Sequence, residues 1–246
     1  MKLLTFLTFL LMACVSGLHA AGDRKPTLAE AKAEFEKQDR ALNAAWDQVK
    51  KTLSPGDFAA LKEEQRGWVE WRDELAASPG FSGASGDEAQ RKQSPLYFST
   101  AAGLTGERAS WLLALISRTP SETVTGVWTD SYGGVLEIVE KEGTIHFSIN
   151  VVRGPSAHLG QLSGIAKWNE VIGWFSDKGR DKSRKDETNL AFVLDGTKLR
   201  LTGANTSHYH GARAYFDGQY VKTGKLDAKA QAAVIKAAQT GNPEDR

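Results

Sequence analysis

The chain has 246 residues, enough for one large or two small domains. Its 41% apolar and 25% charged residues are ordinary for a globular protein, and 31 basic against 30 acidic side chains leave a formal charge of +1. That balance excludes a global field drawing the protein to nucleic acid or to a charged membrane.

Met1-Lys2 supplies one positive charge, Leu3 to Val15 an apolar run broken by Thr5 and Thr8, and Leu18-His19-Ala20-Ala21 a cleavage region. This is the order of a secretory signal over residues 1–20. The run is shorter than the ~20 residues a bilayer needs, so no transmembrane helix is expected in the mature chain. Cys14 is the single cysteine, in Leu11-Met-Ala-Cys14, which loosely resembles a lipobox. Two exported forms stay open: a periplasmic or secreted product cleaved near Ala20, without a thiol, or a lipoprotein anchored through Cys14.

Thr27-Leu-Ala-Glu30 is a capping box, and a helix is expected from there to about Leu53 with Phe35, Leu42, Trp46 and Val49 on one face. Ser54-Pro55 starts a second helix to about Ala77, carrying Phe58, Leu61, Trp68, Trp71 and Leu75. The short connection implies an antiparallel hairpin. Residues 79–94, rich in Gly and Ser, read as a mobile loop. A third helix is expected over 95–118, with Gly103 and Gly106 weighing against it. After Thr119-Pro120 the apolar rhythm changes to alternation, clearest in Thr144 to Val152. Strands are expected at 124–129, 135–139, 144–152, 158–166, 170–176, 189–194, 198–202 and 212–221, forming a closed barrel or tight sandwich. A helix follows over 226–239. The expected organisation is α+β: signal 1–20, helical domain 27–118, antiparallel β domain 121–224, and C-terminal helix and tail 225–246.

Leu42-Asn43-x-x-Trp46, Leu61-Lys-x-x-Gln65-Arg66-x-Trp68-x-x-Trp71-Arg72-Asp73 and Tyr97 followed by Leu104-Thr105-x-x-Arg108 carry a resemblance. Residues 32–118 resemble the LprI-type lysozyme-inhibitor N-terminal family, which implies an exported three-helix module and suggests inhibition of a lysozyme. The chain departs from that family where it usually has cysteines, with Ala76 and Thr100 in those neighbourhoods, and has Trp46 and Trp71 where tyrosines are usual. Gly126-Val-Trp128, Gly160-x-x-x-Gly164 and His210-Gly-Ala-Arg213-Ala-x-Phe216-Asp217-Gly218-x-Tyr220 are similar to an uncharacterised β domain of exported bacterial proteins. Gly-x-Trp opening a barrel is also loosely similar to lipocalins.

Gln65 and Arg72, like Arg66 and Asp73, are seven apart and share a helix face. They suit a partner's carboxylate or an acetylated sugar, but the favoured reading is that they tie the three helices together. On a strand, His208 and His210 would share a face and, with His158, His146 or Asp217, form a weak metal candidate; no metal motif supports it. Trp128, Trp168, Trp174, Tyr209, Tyr215 and Tyr220 suit sugar stacking or barrel packing. The cluster Lys178 to Lys185 is a solvated loop or an anionic-surface contact. No Gly-x-Ser-x-Gly occurs, and Ser131-Tyr132-Gly-Gly reads as a turn. The leading expectation is a non-enzymatic envelope protein that binds or inhibits a partner, lysozyme or another envelope protein, by steric blockade. Its contacts would be Gln65, Arg66, Arg72, Asp73 and the loop 79–94. The alternatives are a small-ligand or sugar binder using Arg153, His158, His208, His210 and Arg213, and a metal-dependent enzyme using His208 and His210. No cofactor and no nucleic-acid partner are expected. Residues 27–118 hold 12 basic and 14 acidic side chains, about −2, a weak preference for a basic partner.

Overall fold

The computed structural model describes residues 24–117, 123–154 and 157–246. The expected signal 1–20, with Cys14, and the Pro120 junction lie outside the described residues.

Three long helices build the first module: α1 (Leu28–Thr52), α2 (Pro55–Ala77) and α5 (Pro95–Leu115). The Thr27–Glu30 capping box is formed, and Ser54 and Ser94 accept from Asp57 and Tyr97 backbone N–H at the starts of α2 and α5. Two residues, Leu53 and Ser54, turn the chain between α1 and α2. Helix α5 lies most extensively along α1 and also packs on α2. The small residues Ala101, Ala102, Thr105 and Ala109 of α5 and Ala31 and Ala45 of α1 are all buried. Gly106 faces α1, where a Cβ would come within 2.8 Å of Gln38 Oε1, whereas Gly103 is exposed with open space around it.

The segment 79–94 departs from the expected loop. It holds two short helices, α3 (Pro79–Ser82) and α4 (Glu88–Lys92). Asp87 and Gln90 form a capping box on α4, and Arg91 donates to the carbonyls of Ala77 (2.7 Å) and Gly86 (2.6 Å). The bond to Ala77 ties the segment back to the end of α2, next to the buried Ala76, and the bond to Gly86 closes the segment on itself.

The second module is a closed antiparallel barrel in meander order: β1 (Gly126–Thr129), β2 (Val135–Lys141), β3 (Thr144–Arg153), β4 (His158–Trp168), β5 (Ile172–Ser176), β6 (Asn189–Asp195), β7 (Lys198–Ala204) and β8 (Gly218–Gly224), with β8 pairing back to β1. The expected strand at 212–221 is shorter, because residues before Gly218 form the β7–β8 loop. Glu142 (φ 50°) and Gly143 (φ 71°) close the β2–β3 hairpin in the left-handed region that such a two-residue turn requires. The interior is filled by side chains, with Trp128, Phe147, Phe175, Phe192, Phe216 and Tyr220 at most 1% exposed. Gly160 and Gly164 face this interior. A Cβ at Gly160 would lie 2.6 Å from the Ala214 carbonyl, and one at Gly164 would strike the Phe175 ring. The Gly-x-x-x-Gly spacing thus records two close approaches on one strand face.

Helix α6 (Ala228–Thr240) lies against the outside of β2, β3 and β4, where Val234 packs with Val139 and Leu226. Beneath it the Ser163 hydroxyl donates to Ser148 at 2.9 Å, and Arg246 pairs with Glu137 at 2.5 Å.

Candidate functional site

The family-type motifs converge on one buried cation. The spacing Leu104-Thr105-x-x-Arg108 turns Thr105 and Arg108 inward on α5, where they are 0% and 2% exposed. The Arg108 guanidinium lies over Trp111 at 4.4 Å and Trp68 at 5.4 Å. It donates to Gln65 Oε1 (2.9 Å), Glu64 Oε1 (3.0 Å) and the Ser131 carbonyl (2.7 Å). Burial lowers its pKa and the Glu64 carboxylate opposes that; arginine stays charged regardless. One side chain therefore joins α5, α2 and the β1–β2 turn.

That turn is shaped to fit. The Asp130 carboxylate accepts from the backbone N–H of Tyr132 (2.9 Å) and Gly134 (2.8 Å) and pairs with Arg153. The Tyr132 ring meets Trp71 edge-on at 5.5 Å. Its hydroxyl lies where a Cβ on Gly67 would come within 3.4 Å. The half-buried Glu107 carboxyl faces Gly133, and burial raises it to about 7. The turn thus sits against both α2 and α5.

Arg72 forms a second such node within the helices. It donates to Asp73 Oδ1 through Nε (2.9 Å) and Nη2 (2.8 Å), reaches Thr105 at 3.5 Å, and lies over Phe35 and Trp68. Burial and the Asp73 carboxylate raise the pKa of the neighbouring Tyr97 phenol. Gln65 and Arg72 are engaged inside the protein. Arg66 is exposed and pairs with Glu63 at 2.7 Å, and Asp73 keeps 38% of its side chain exposed. The four therefore do not present one open face.

Beside this junction, between α2, α5 and the barrel rim, runs a cleft of about 500 Å³. Leu61, Trp111 and Leu115 give it an apolar wall, and Asp57, Glu64 and Asp217 bring carboxylates to it. Lys198 and Arg153 are its basic members, Arg153 being held by Asp130. With the Glu64–Arg108 and Asp130–Arg153 pairs set aside, Asp57 and Asp217 stand against Lys198. The cleft combines an apolar anchor point with a mainly acidic margin.

Arg153, His158, His208, His210 and Arg213 all lie at the barrel end that carries the four longer connections, and Arg153 stands opposite His158 in register. His208 and His210 do not share a strand face as expected. Asn205 (φ 55°) ends β7, Thr206–Tyr209 is a 3₁₀ turn, and only His210 bridges to Gly160. The His210 ring contacts Thr206 Oγ1 (3.0 Å) and the Gly211 carbonyl (2.8 Å) through its two nitrogens. His146 is buried near the start of β3, at the far end of that strand from Arg153, and Asp217 accepts from Gly203 N–H at 2.9 Å. Among the described residues no three His, Cys, Asp or Glu side chains are grouped to hold a metal ion. Of the aromatic candidates, Trp128, Trp168 and Tyr220 are core residues, while Trp174 and Tyr215 are 53% and 56% exposed.

Two features escaped the sequence. The role of Ser131 and Tyr132 as the barrel's contact with the helices was not visible, although the turn itself was. Asp177 accepts from Thr188 N–H (2.7 Å) and the Tyr209 hydroxyl (2.8 Å) and pairs with Arg184. Burial would raise its pKa, but those three partners together bring it below the usual carboxylate value. It thereby anchors the basic β5–β6 loop, whose Arg184 and Lys185 border a second cleft of about 320 Å³ with Asn205 and His208.

Residues 19–112 match the family model described as lysozyme inhibitor LprI, and the helical module is an LprI domain. No family model matches the C-terminal region, so the likeness of the barrel to an uncharacterised β domain gains no support. No curated protein and no solved structure matches the chain.

Proposed function

We propose, from the LprI domain at residues 19–112 as premise, that this is an exported envelope protein that inhibits a lysozyme by steric blockade. The family match is the observation that carries the reading. The geometry adds a contact surface. The cleft beside the α2–α5–barrel junction offers an apolar wall within a margin of Asp57, Glu64 and Asp217, which suits a basic enzyme. Arg66 and Asp73 are the exposed members of the motif available to a partner, with Gln65 and Arg72 holding the helix beneath them. Asp73 and the segment 79–94, tied by Arg91 to the Ala77 carbonyl, lie toward the other end of α2 from the cleft and form a separate candidate contact. The compartment in this reading is the periplasm or the exterior, reached by the signal at residues 1–20 or as a lipoprotein on Cys14. A packed barrel interior favours protein recognition over a ligand held inside the barrel.

The test is titration of the purified protein into several lysozymes while lysis of bacterial walls is recorded. Saturable inhibition is expected with at least one, weakened about tenfold or more by Asp57→Lys with Asp217→Lys and reduced by salt. Undiminished lysis by every lysozyme at micromolar excess of the protein rejects the proposal.

A further inference from the structure

The outer wall of the barrel has a covered and a bare part. Helix α6 lies over β2, β3 and part of β4. On the bare side, β4, β5 and β6 display Ile165 (41% exposed), Ile172 (50%), Trp174 (53%) and Val193 (37%), with Val171 (52%) at the adjoining turn. These side chains form one patch. Ile172 stands opposite Val193, and Trp174 opposite Ala191 and Lys167. Ile165 is two residues from Lys167 on the same strand face. Isolated apolar residues are normal on a surface, but a contiguous group with a half-exposed tryptophan marks an interaction site.

The charges select the occupant. Lys167 lies within the patch and Arg200, opposite Val193, at its border, and both are exposed. The β5–β6 loop adds exposed Lys178, Lys182 and Lys185 at one end, beside Asp181 and Asp186, while Glu170 and Asp195 are confined to the other. The strand positions between those ends carry cations and no carboxylate. A second copy set wall to wall would bring these cations together, with Asp195 at the end of β6 as the one acidic residue of β4, β5 and β6 to answer them. A sugar platform would pair the tryptophan with carboxylate or amide side chains, whereas its neighbours here are Lys167, Ala191 and Ile172. A convex apolar strip with tryptophan, isoleucine and snorkelling lysine and arginine matches the boundary of a bilayer with acidic headgroups.

We propose that the β4–β6 wall, centred on Trp174, docks the protein on an anionic phospholipid surface. The mode is peripheral: the aliphatic and indole groups enter the interface and the cations meet the headgroups. This is independent of lysozyme inhibition, and either survives the failure of the other.

The test uses the full chain with vesicles of phosphatidylcholine alone or mixed with phosphatidylglycerol, read by co-sedimentation and tryptophan emission. Variants are compared within the same chain, so any contribution of residues 1–23 is common to all. Binding to the mixed vesicles with a blue shift is expected, with little binding to phosphatidylcholine. Trp174→Phe should bind but lose the shift. Trp174→Ser with Ile172→Ser should weaken binding at least tenfold. Lys167→Gln with Arg200→Gln should weaken it about twenty-five-fold, roughly fivefold per cation. Failure to bind anionic vesicles, equal binding to both vesicle types, or binding unchanged in these variants overturns the proposal. So does a dimer that dissociates in Trp174→Ser with Ile172→Ser, since a second copy would then cover the wall.

Discussion

Replacing Arg108 by methionine tests the junction on which the arrangement of the two modules rests. The Arg108 side chain is 0% exposed and serves Gln65, Glu64 and the Ser131 carbonyl while stacked on Trp68 and Trp111. Methionine retains apolar volume between the indoles but abandons all three acceptors. Glu64 is 35% exposed and can turn to water, so its loss is small. Gln65 and the Ser131 carbonyl, both partly buried, lose a charged donor, and each acceptor left unpaired costs about 1–3 kcal/mol. With Glu64 rehydrated and the cavity largely filled, the expected loss is about 3 kcal/mol. For a protein of this size that is a fall in Tm of about 6–12 °C. Urea unfolding followed by helical circular dichroism and by tryptophan emission measures it. A loss below about 1 kcal/mol would refute the argument, because Arg108 would then not be what holds the turn to the helices.

Glu107 predicts a pH dependence. Its carboxyl sits at about 7 in the folded protein against 4.5 for the free group, owing to burial. The folded state therefore holds this proton more tightly than the unfolded chain. Its stabilising contribution is complete below pH 4.5 and is lost as the pH rises through 7. The gap corresponds to about 3 kcal/mol at most, which partial exposure reduces to about 1–2. Glu107→Gln should flatten the stability profile between about pH 5 and pH 8 and stabilise the protein at the upper end; an unchanged profile contradicts the assignment. A double-mutant cycle of Tyr132→Leu and Trp71→Leu should return a coupling of about 0.5–1.5 kcal/mol in thermal unfolding. Gly160→Ala should destabilise by about 1–3 kcal/mol, since its methyl would lie 2.6 Å from the Ala214 carbonyl; a neutral result would mean that the β7–β8 loop yields easily.

The main elements were legible because their signals are local. The capping residues Thr27 and Ser54 mark real helix starts, and the two-residue rhythm of Ile145, Phe147, Ile149 and Val151 gives an inward strand face. The segment 79–94 misled because its glycines and serines mask helix starts that Asp87 and Arg91 stabilise through contacts fourteen and fewer residues away. The histidines misled for a different reason. Their two-residue spacing means a shared face only on a strand, and Asn205 in the left-handed region ends that strand first. Motif spacing did bring Gln65, Trp68, Arg72, Thr105 and Arg108 together. It did not reveal that Ser131, from the other module, completes the set, because that bond spans 23 residues and depends on how the barrel meets the helices.

Hydrogen exchange of the protein, alone and with a lysozyme that it inhibits, tests the inhibitory account most directly. Slower exchange is predicted at the α2 segment 55–66 and at residues 217–219, which border the acidic cleft. Protection absent from both, or confined to the β4–β6 wall, would contradict it.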